Sequence, residues 1–360
     1  MARLPLEGIR VTCITPIWAG PFAAQLFADW GAEVIVVESG HHWQPATRGT
    51  LAHPPQFMVE QEVGGLMAYC RKDATGRGWD RSCLFNPHAR NKLSMTIDLR
   101  RPEGVDVFKR LIAKSDVFLE SNAAGTMDKM GIGYDELKKV KPDLVMFSIP
   151  GMGSTGPKRH YVGFGAHMEG LFGHTYLRGY HDADPQTNTI VFHYDPAVGA
   201  TVAFATMMAL HHRNKTGEGI YVDMAGAEAS MPQLGEVIMD YTMNGRIAER
   251  IGNRHLTATQ GCYLCKGALP SAETTAGDDK WLNITINTDD EWAALCRVMG
   301  RPDLVHDERF ADSLSRRAHQ DEFDRVVGEW TRGHDKYALM HMLQAEGVPA
   351  GAVLDQRDCY

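Results

Sequence analysis

"IRVTCITPIWAGPFAAQLFADWGAEVIVVE", residues 9–38, decides the architecture of this chain. "IRVTCI" reads as a buried strand, and "AEVIVVE" is almost wholly apolar, as expected of a parallel strand covered on both faces. Between them "GPFAAQLFADWG" predicts a helix with a small, apolar inner face and a glycine stop. Strand, helix and strand form a βαβ unit, so the chain belongs to the α/β class. Glu38 ends the second strand where a ribose-binding acid would stand in a nicotinamide enzyme. The turn before the helix disagrees: "TPIWAGP" lacks G-x-G-x-x-G, and Ile17 and Trp18 fill the space a pyrophosphate would need. A nicotinamide cofactor is therefore not expected.

Downstream, residues 39–90 are irregular and rich in Gly, Pro, His and aromatics. So long a loop inside a domain is often functional. Trp43, Phe57, Tyr69 and Trp79 favour a packed loop. Regular order then returns. "LSMTIDL", "DVFLES" and "LVMFSIP" predict strands, and "RPEGVDVFKRLIAKS" predicts an amphipathic helix with Pro102 in its first turn. The glycine loop "GMGSTGP" leaves the last of these strands, at the carboxyl end where α/β proteins bind ligands. "FHYDPAVGATVAF", residues 192–204, opens a further helix. On capping preferences alone, Asp195 is its N-cap and Pro196 its first residue. "RNKTGEGIYVDMA" is a turn and a strand. From there the texture changes, and "WLNITIN", "DDEWAALCRVMG" and "EFDRVVGEWTRG" predict a smaller α+β domain over residues 225–325. Residues 1–224 then form the large domain, with 326–360 returning to it.

The 360 residues suffice for two domains, and 44% hydrophobic with 23% charged residues is ordinary for a globular protein. A net charge of −8 without a basic stripe argues against a nucleic-acid partner. No apolar run reaches membrane-spanning length, and "MARLPLEGIRV" has no signal core, so a cytoplasmic protein without a membrane partner is expected. Seven cysteines, an odd number, fit a reducing compartment. The C-x-x-C of Cys262 and Cys265 has no second ligand pair and no thioredoxin-like setting, so no metal site is expected.

Eight segments taken in order closely resemble the class III CoA-transferases, of the formyl-CoA and carnitine CoA-transferase type. They are "PLEGIRV", "AGPFAAQLFADWGAEVIVVE", "NKLSMTIDLRRPEG", "DVFLESNAAGTMDKMGIGYDELK", "GMGSTGP", "YDPAVG", "HHRNKTGEG" and "EGVPAGAV". The likeness runs from Leu6 to Val353. It implies a Rossmann-like large domain, a smaller domain and two chains interlocked like linked rings, as a homodimer or with a related subunit. It implies Asp195 as the catalytic nucleophile, ahead of the turn Arg213, Thr216, Gly217 and Gly219. CoA thioesters are then substrates, and no permanently bound cofactor is expected. By the same resemblance Ile17, Trp18 and Ala19 approach CoA through their backbone. Arg100 and Lys129 match basic contacts to its phosphates, and Ser121 and Asn122 match an adenine-contacting pair.

The chain also departs from the family. Ser39 stands where Arg or Lys often follows the strand, so one phosphate contact is either lost or supplied by the 39–90 loop, for example by Arg48 or Lys72. "HLTATQG" offers only Gly261 for a glycine-rich lid, and members usually run some dozens of residues beyond the segment near Tyr360. The same fold includes α-methylacyl-CoA racemases, which use a His–Asp pair. The His of that pair lies in an upstream "GHD" motif. Here Phe164 stands where that His belongs and Gly165 where the Asp of the motif belongs, with His167 three residues further on, and Phe cannot move a proton. A scaffolding subunit of a heteromeric transferase is the other alternative. "YDPAVG", the 39–90 insertion and Glu169 resemble transferases that move CoA from succinyl-CoA to an aryl- or alkyl-succinate. Arg48, Arg178 and Arg254 are candidate partners for the substrate acid.

Overall fold

The computed structural model describes residues 3–41, 51, 53–60, 72–73, 75–184, 186, 191–267, 280–355 and 358–359. They divide into two compact units, Met1–Tyr176 with Thr189–Ala248, and Leu177–Asn188 with Glu249–Tyr360.

In the first unit, β1 (Arg10–Ile14), β2 (Glu33–Glu38), β3 (Lys92–Thr96), β4 (Val117–Glu120), β5 (Val145–Ser148) and β6 (Ile220–Asp223) form one sheet. Its order is β3-β2-β1-β4-β5-β6 and all its pairings are parallel. Strand order reverses direction between β1 and β4, and the crevice at their carboxyl ends is where such sheets take ligands. Helices cover both faces, because the central strands are apolar on both. On β4, Val117 and Leu119 join one core and Phe118 the other; on β5, Val145 and Phe147 oppose Met146 in the same way. Burying each of these phenylalanines contributes about 1.5–3 kcal/mol.

The helices used below are α1 (Ala19–Asp29), α2 (Pro102–Ile112), α3 (Gly165–Leu171), α4 (Tyr194–Thr216) and α5 (Gly226–Ser230). α1 and α4 pack closely because Gly199 has no side chain: a Cβ there would lie 2.7 Å from the carbonyl oxygen of Ala19. The far end of α4 is tied down as well. Arg213 Nη1 donates to Asp116 Oδ1 at 2.9 Å, just ahead of β4. Gly217 then stops the helix in the left-handed region, φ 76°, where glycine is unstrained. The R-x-x-TG-x-G turn is thus a structural fastening.

The second unit carries an antiparallel sheet of β7 (Thr259–Leu264), β8 (Trp281–Ile286) and β9 (Ala350–Ala352). Trp292, Phe310 and Phe323 pack in its core. Two boundaries differ from the sequence reading. The first unit runs on to Ala248, because α5 carries its buried face, Gly226, Ala227 and Ser230, past residue 224. Residues 326–360 do not return to it. Leu339, Leu343 and Val348 are buried in the second unit's core, and β9 pairs with β8. Gly261, the one glycine "HLTATQG" offers for a lid, lies inside β7, whose alternating burial makes it a half-buried strand. Cys262 and Cys265 are free thiols there.

No helix among the described residues is long and apolar enough to cross a membrane. Of the aromatics expected to pack the 39–90 loop, Phe57 is exposed. Trp43, Tyr69 and the side chain of Trp79 lie outside the described residues, as does Arg48.

Candidate active site

A cleft of about 640 Å³, open to solvent, lies at the carboxyl ends of β1, β4 and β5. Ile17, Ala19, Ser121, Asn122 and Asp195 line it together, so five of the eight expected site residues converge. Tyr161, Val162 and Phe164 supply apolar surface. Trp18 stands beside them, edge-on to Phe192 at 4.6 Å and stacked on His88 at 5.8 Å between ring centres.

Asp195 is 6% exposed. It is not the cap of its own helix. α4 begins at Tyr194, its N-cap is His193, and no side chain caps it from that position. Asp195 is the second helical residue, and the backbone N–H of Ala19, the first residue of α1, hydrogen-bonds its carboxylate. The carboxylate thus faces the positive end of a neighbouring helix. Burial pushes its pKa up to about 6, the Ala19 bond opposes the rise, and the nearby Glu169 carboxylate adds to it.

Gly165, at the start of α3, leaves the room this carboxylate needs. A Cβ there would lie 2.4 Å from Asp195 Oδ2 and 3.0 Å from Cγ. His167 is occupied as a cap, its Nδ1 accepting the Phe164 N–H at 3.1 Å. The space a side chain would take at Gly165, the position matching the Asp of the "GHD" motif, is therefore occupied by the Asp195 carboxylate.

Arg100 and Lys129 do not reach the cleft. Arg100 is exposed and paired with Asp98 at 2.9 and 3.0 Å. Lys129 is exposed at the end of the short helix Thr126–Lys129. Lys72 donates to the Glu60 carbonyl at 3.4 Å. Arg254 is held by Asp321 and Asp324 within the second unit, to which Arg178 also belongs. Among the described residues no cluster could hold a metal ion. Sequence reasoning did not place Gly165 and Glu169 beside Asp195. The only signal for Gly165 was a missing acid.

An ionised carboxylate with an apolar wall and a helix N-terminus beside it can attack an electrophilic carbonyl. If Asp195 is the attacking group, kcat/KM should rise with pH through about 6 and then level. A profile flat down to pH ~4.5, near where an ordinary carboxyl titrates, would contradict this.

The sequence profile described as CoA-transferase family III matches residues 6–360. The succinyl-CoA–D-citramalate CoA-transferase of Chloroflexus aurantiacus is 33% identical over 354 residues, 98% of this chain and 79% of its own. The beta subunit of succinyl-CoA–L-malate CoA-transferase from the same organism is 32% identical, over 99% of this chain and 80% of its own. The succinate–glutarate CoA-transferase of Agrobacterium fabrum is 30% identical, over 97% and 80%. Among solved structures, a CAIB/BAIF family protein from Brucella suis superposes with a TM-score of 0.78 at 30% identity, over 99% of this chain and 86% of its own.

Proposed function

The chain belongs to CoA-transferase family III and is a CoA-transferase, and from that premise we propose that it moves CoA from succinyl-CoA to a short dicarboxylic acid through Asp195. The observation that carries the role of Asp195 is its burial at the α1 N-terminus in a cleft with an open mouth. The Asp195 carboxylate attacks the thioester carbonyl, giving a mixed anhydride and CoA thiolate. The thiolate then attacks the aspartyl carbonyl, releasing succinate and leaving CoA as a thioester on Asp195. The acceptor carboxylate attacks that thioester, and the two steps run in reverse to deliver the new acyl-CoA. Nothing is oxidised or reduced, and each difficult exchange is divided into two easier ones. Backbone N–H groups at the start of α1 are proposed to stabilise the developing oxyanions.

The named relatives support this choice of acids. The acids in their names, citramalate, malate, glutarate and succinate, are all short dicarboxylic acids. That narrows the aryl- or alkyl-succinate expectation to small acceptors. Ile17, Ala19, Ser121 and Asn122 are proposed to line the CoA path, whereas the positions of Arg100 and Lys129 support no contact at the reacting carbon. A dimer, with itself or a related subunit, and a cytoplasmic setting complete the reading. One relative is itself named as a subunit.

Incubation with succinyl-CoA and a panel of dicarboxylic acids should yield new thioesters, with the mass of CoA on the Asp195 peptide. Absence of exchange, with α-proton exchange on a branched acyl-CoA instead, would point to the racemase chemistry.

A further inference from the structure

Glu169 is a carboxylate in an almost dry place, 1% exposed, in α3. Its Oε1 accepts the backbone N–H of His193 at 2.9 Å and that of Tyr194 at 2.9 Å. These are the two residues immediately before Asp195. The first N–H groups of a helix have no partner within it, and His193 gives α4 no side-chain cap. The cap comes instead from α3, the helix that begins at Gly165 against the Asp195 carboxylate. The other oxygen, Oε2, lies 3.4 Å from His174 Nδ1.

We propose that Glu169 is a positioning residue for CoA exchange, which fixes the first turn of α4, and with it the Asp195 carboxylate, through two backbone hydrogen bonds. The inference rests on Asp195 being the nucleophile. One side chain thereby sets two properties of another. It holds the backbone that aims Asp195, and its charge, facing Asp195 in a poorly solvated region, opposes ionisation there. The other titratable groups around the pair are the phenol of Tyr194, raised by burial, and the imidazoles of His174 and His193, whose rings stand 5.1 Å apart. α1 presents the Ala19 N–H to Asp195, and α5 presents Gly226 to the Tyr194 ring.

Because one oxygen accepts both N–H groups, Glu169→Gln can keep both bonds and remove only the charge. Glu169→Ala removes both. The rate of CoA-adduct formation on Asp195 and the pH profile of kcat/KM, measured with succinyl-CoA on the full chain, separate these effects. Glu169→Gln is expected to form the adduct within a few-fold of the wild-type rate, with its acid limb moved to lower pH. Glu169→Ala is expected to lose about tenfold or more in adduct formation with KM for succinyl-CoA nearly unchanged. Should the Ala variant not fold, Glu169→Asp keeps the charge but retracts the oxygens, and the same loss is expected. Wild-type rates in the Ala or Asp variant, or a Gln variant as slow as Ala with an unmoved acid limb, overturn the proposal. A wild-type protein that forms no adduct on Asp195 overturns the underlying reading instead.

Discussion

Asp195→Asn is expected to abolish CoA exchange, by about a thousandfold or more, and to leave a better-folded protein at pH 8. Both effects come from one cause. The amide has nearly the shape of the carboxylate, yet it cannot form the anhydride. It is also neutral in a place where charge is costly. The pKa of Asp195 is raised from 3.8 to about 6 in the folded chain. A raised pKa means the folded state holds its proton more tightly than the unfolded state. The stability this brings is full below about pH 4 and is lost as pH climbs through about 6. At pH 8 the folded protein therefore carries a strained charge that costs on the order of 2–3 kcal/mol. Melting curves of the two proteins should separate at pH 8 and converge near pH 4. Exchange near the wild-type rate in the Asn variant would remove Asp195 from the chemistry. Equal melting at both pH values would remove the strain.

Gly165→Ala should cost about a hundredfold in kcat/KM although it adds one methyl group. Its Cβ would sit 2.4 Å from Asp195 Oδ2, closer than any van der Waals contact allows. The carboxylate has to turn away, and a displacement of about 1 Å at a nucleophile is enough for such a loss. Alanine in a helix is otherwise favourable by roughly 0.5–1 kcal/mol over glycine, so the fold is expected to survive. Gly170 provides the control. It lies in the same helix with nothing within 4 Å of its Cβ position, and Gly170→Ala should leave exchange unchanged. Two alanine variants with the same kcat/KM would show that the space beside Asp195 does not matter.

Much of this site was legible in the chain itself, for identifiable reasons. β1, α1 and β2 declare themselves because buried parallel strands are nearly continuous apolar runs. Asp195 could be found from its motif, but the start of its helix lies two residues earlier than the motif suggests. Asp-Pro suggests a cap followed by the first helical residue, whereas Tyr194 already belongs to the helix and Pro196 is its third residue. The partner that matters, the Ala19 N–H, is some 180 positions away in sequence, and no local pattern encodes it. Glu169 was opaque for the same reason, since one acid in "GAHMEG" gives no sign that it faces inward. β7 escaped because Gly261 and Cys262 leave "TQGCYL" without a clear polar–apolar alternation in sequence. β9 was legible as a strand-like run through "VPAGAVL", although Ala-Gly-Ala itself carries almost no side-chain signal.

The order of the six parallel strands has a wider meaning beside the missing glycine fingerprint. In dinucleotide-binding proteins of this topology, the turn after β1 offers the start of its helix to an anion brought by the cofactor. Here that helix start already faces an anion, and it belongs to the polypeptide. The place that a dinucleotide-binding sheet keeps for a visiting phosphate is here the cradle of a resident carboxylate. A glycine-rich loop would have nothing to receive there, and the bulky "PIW" before α1 is free to shape a path for a thioester.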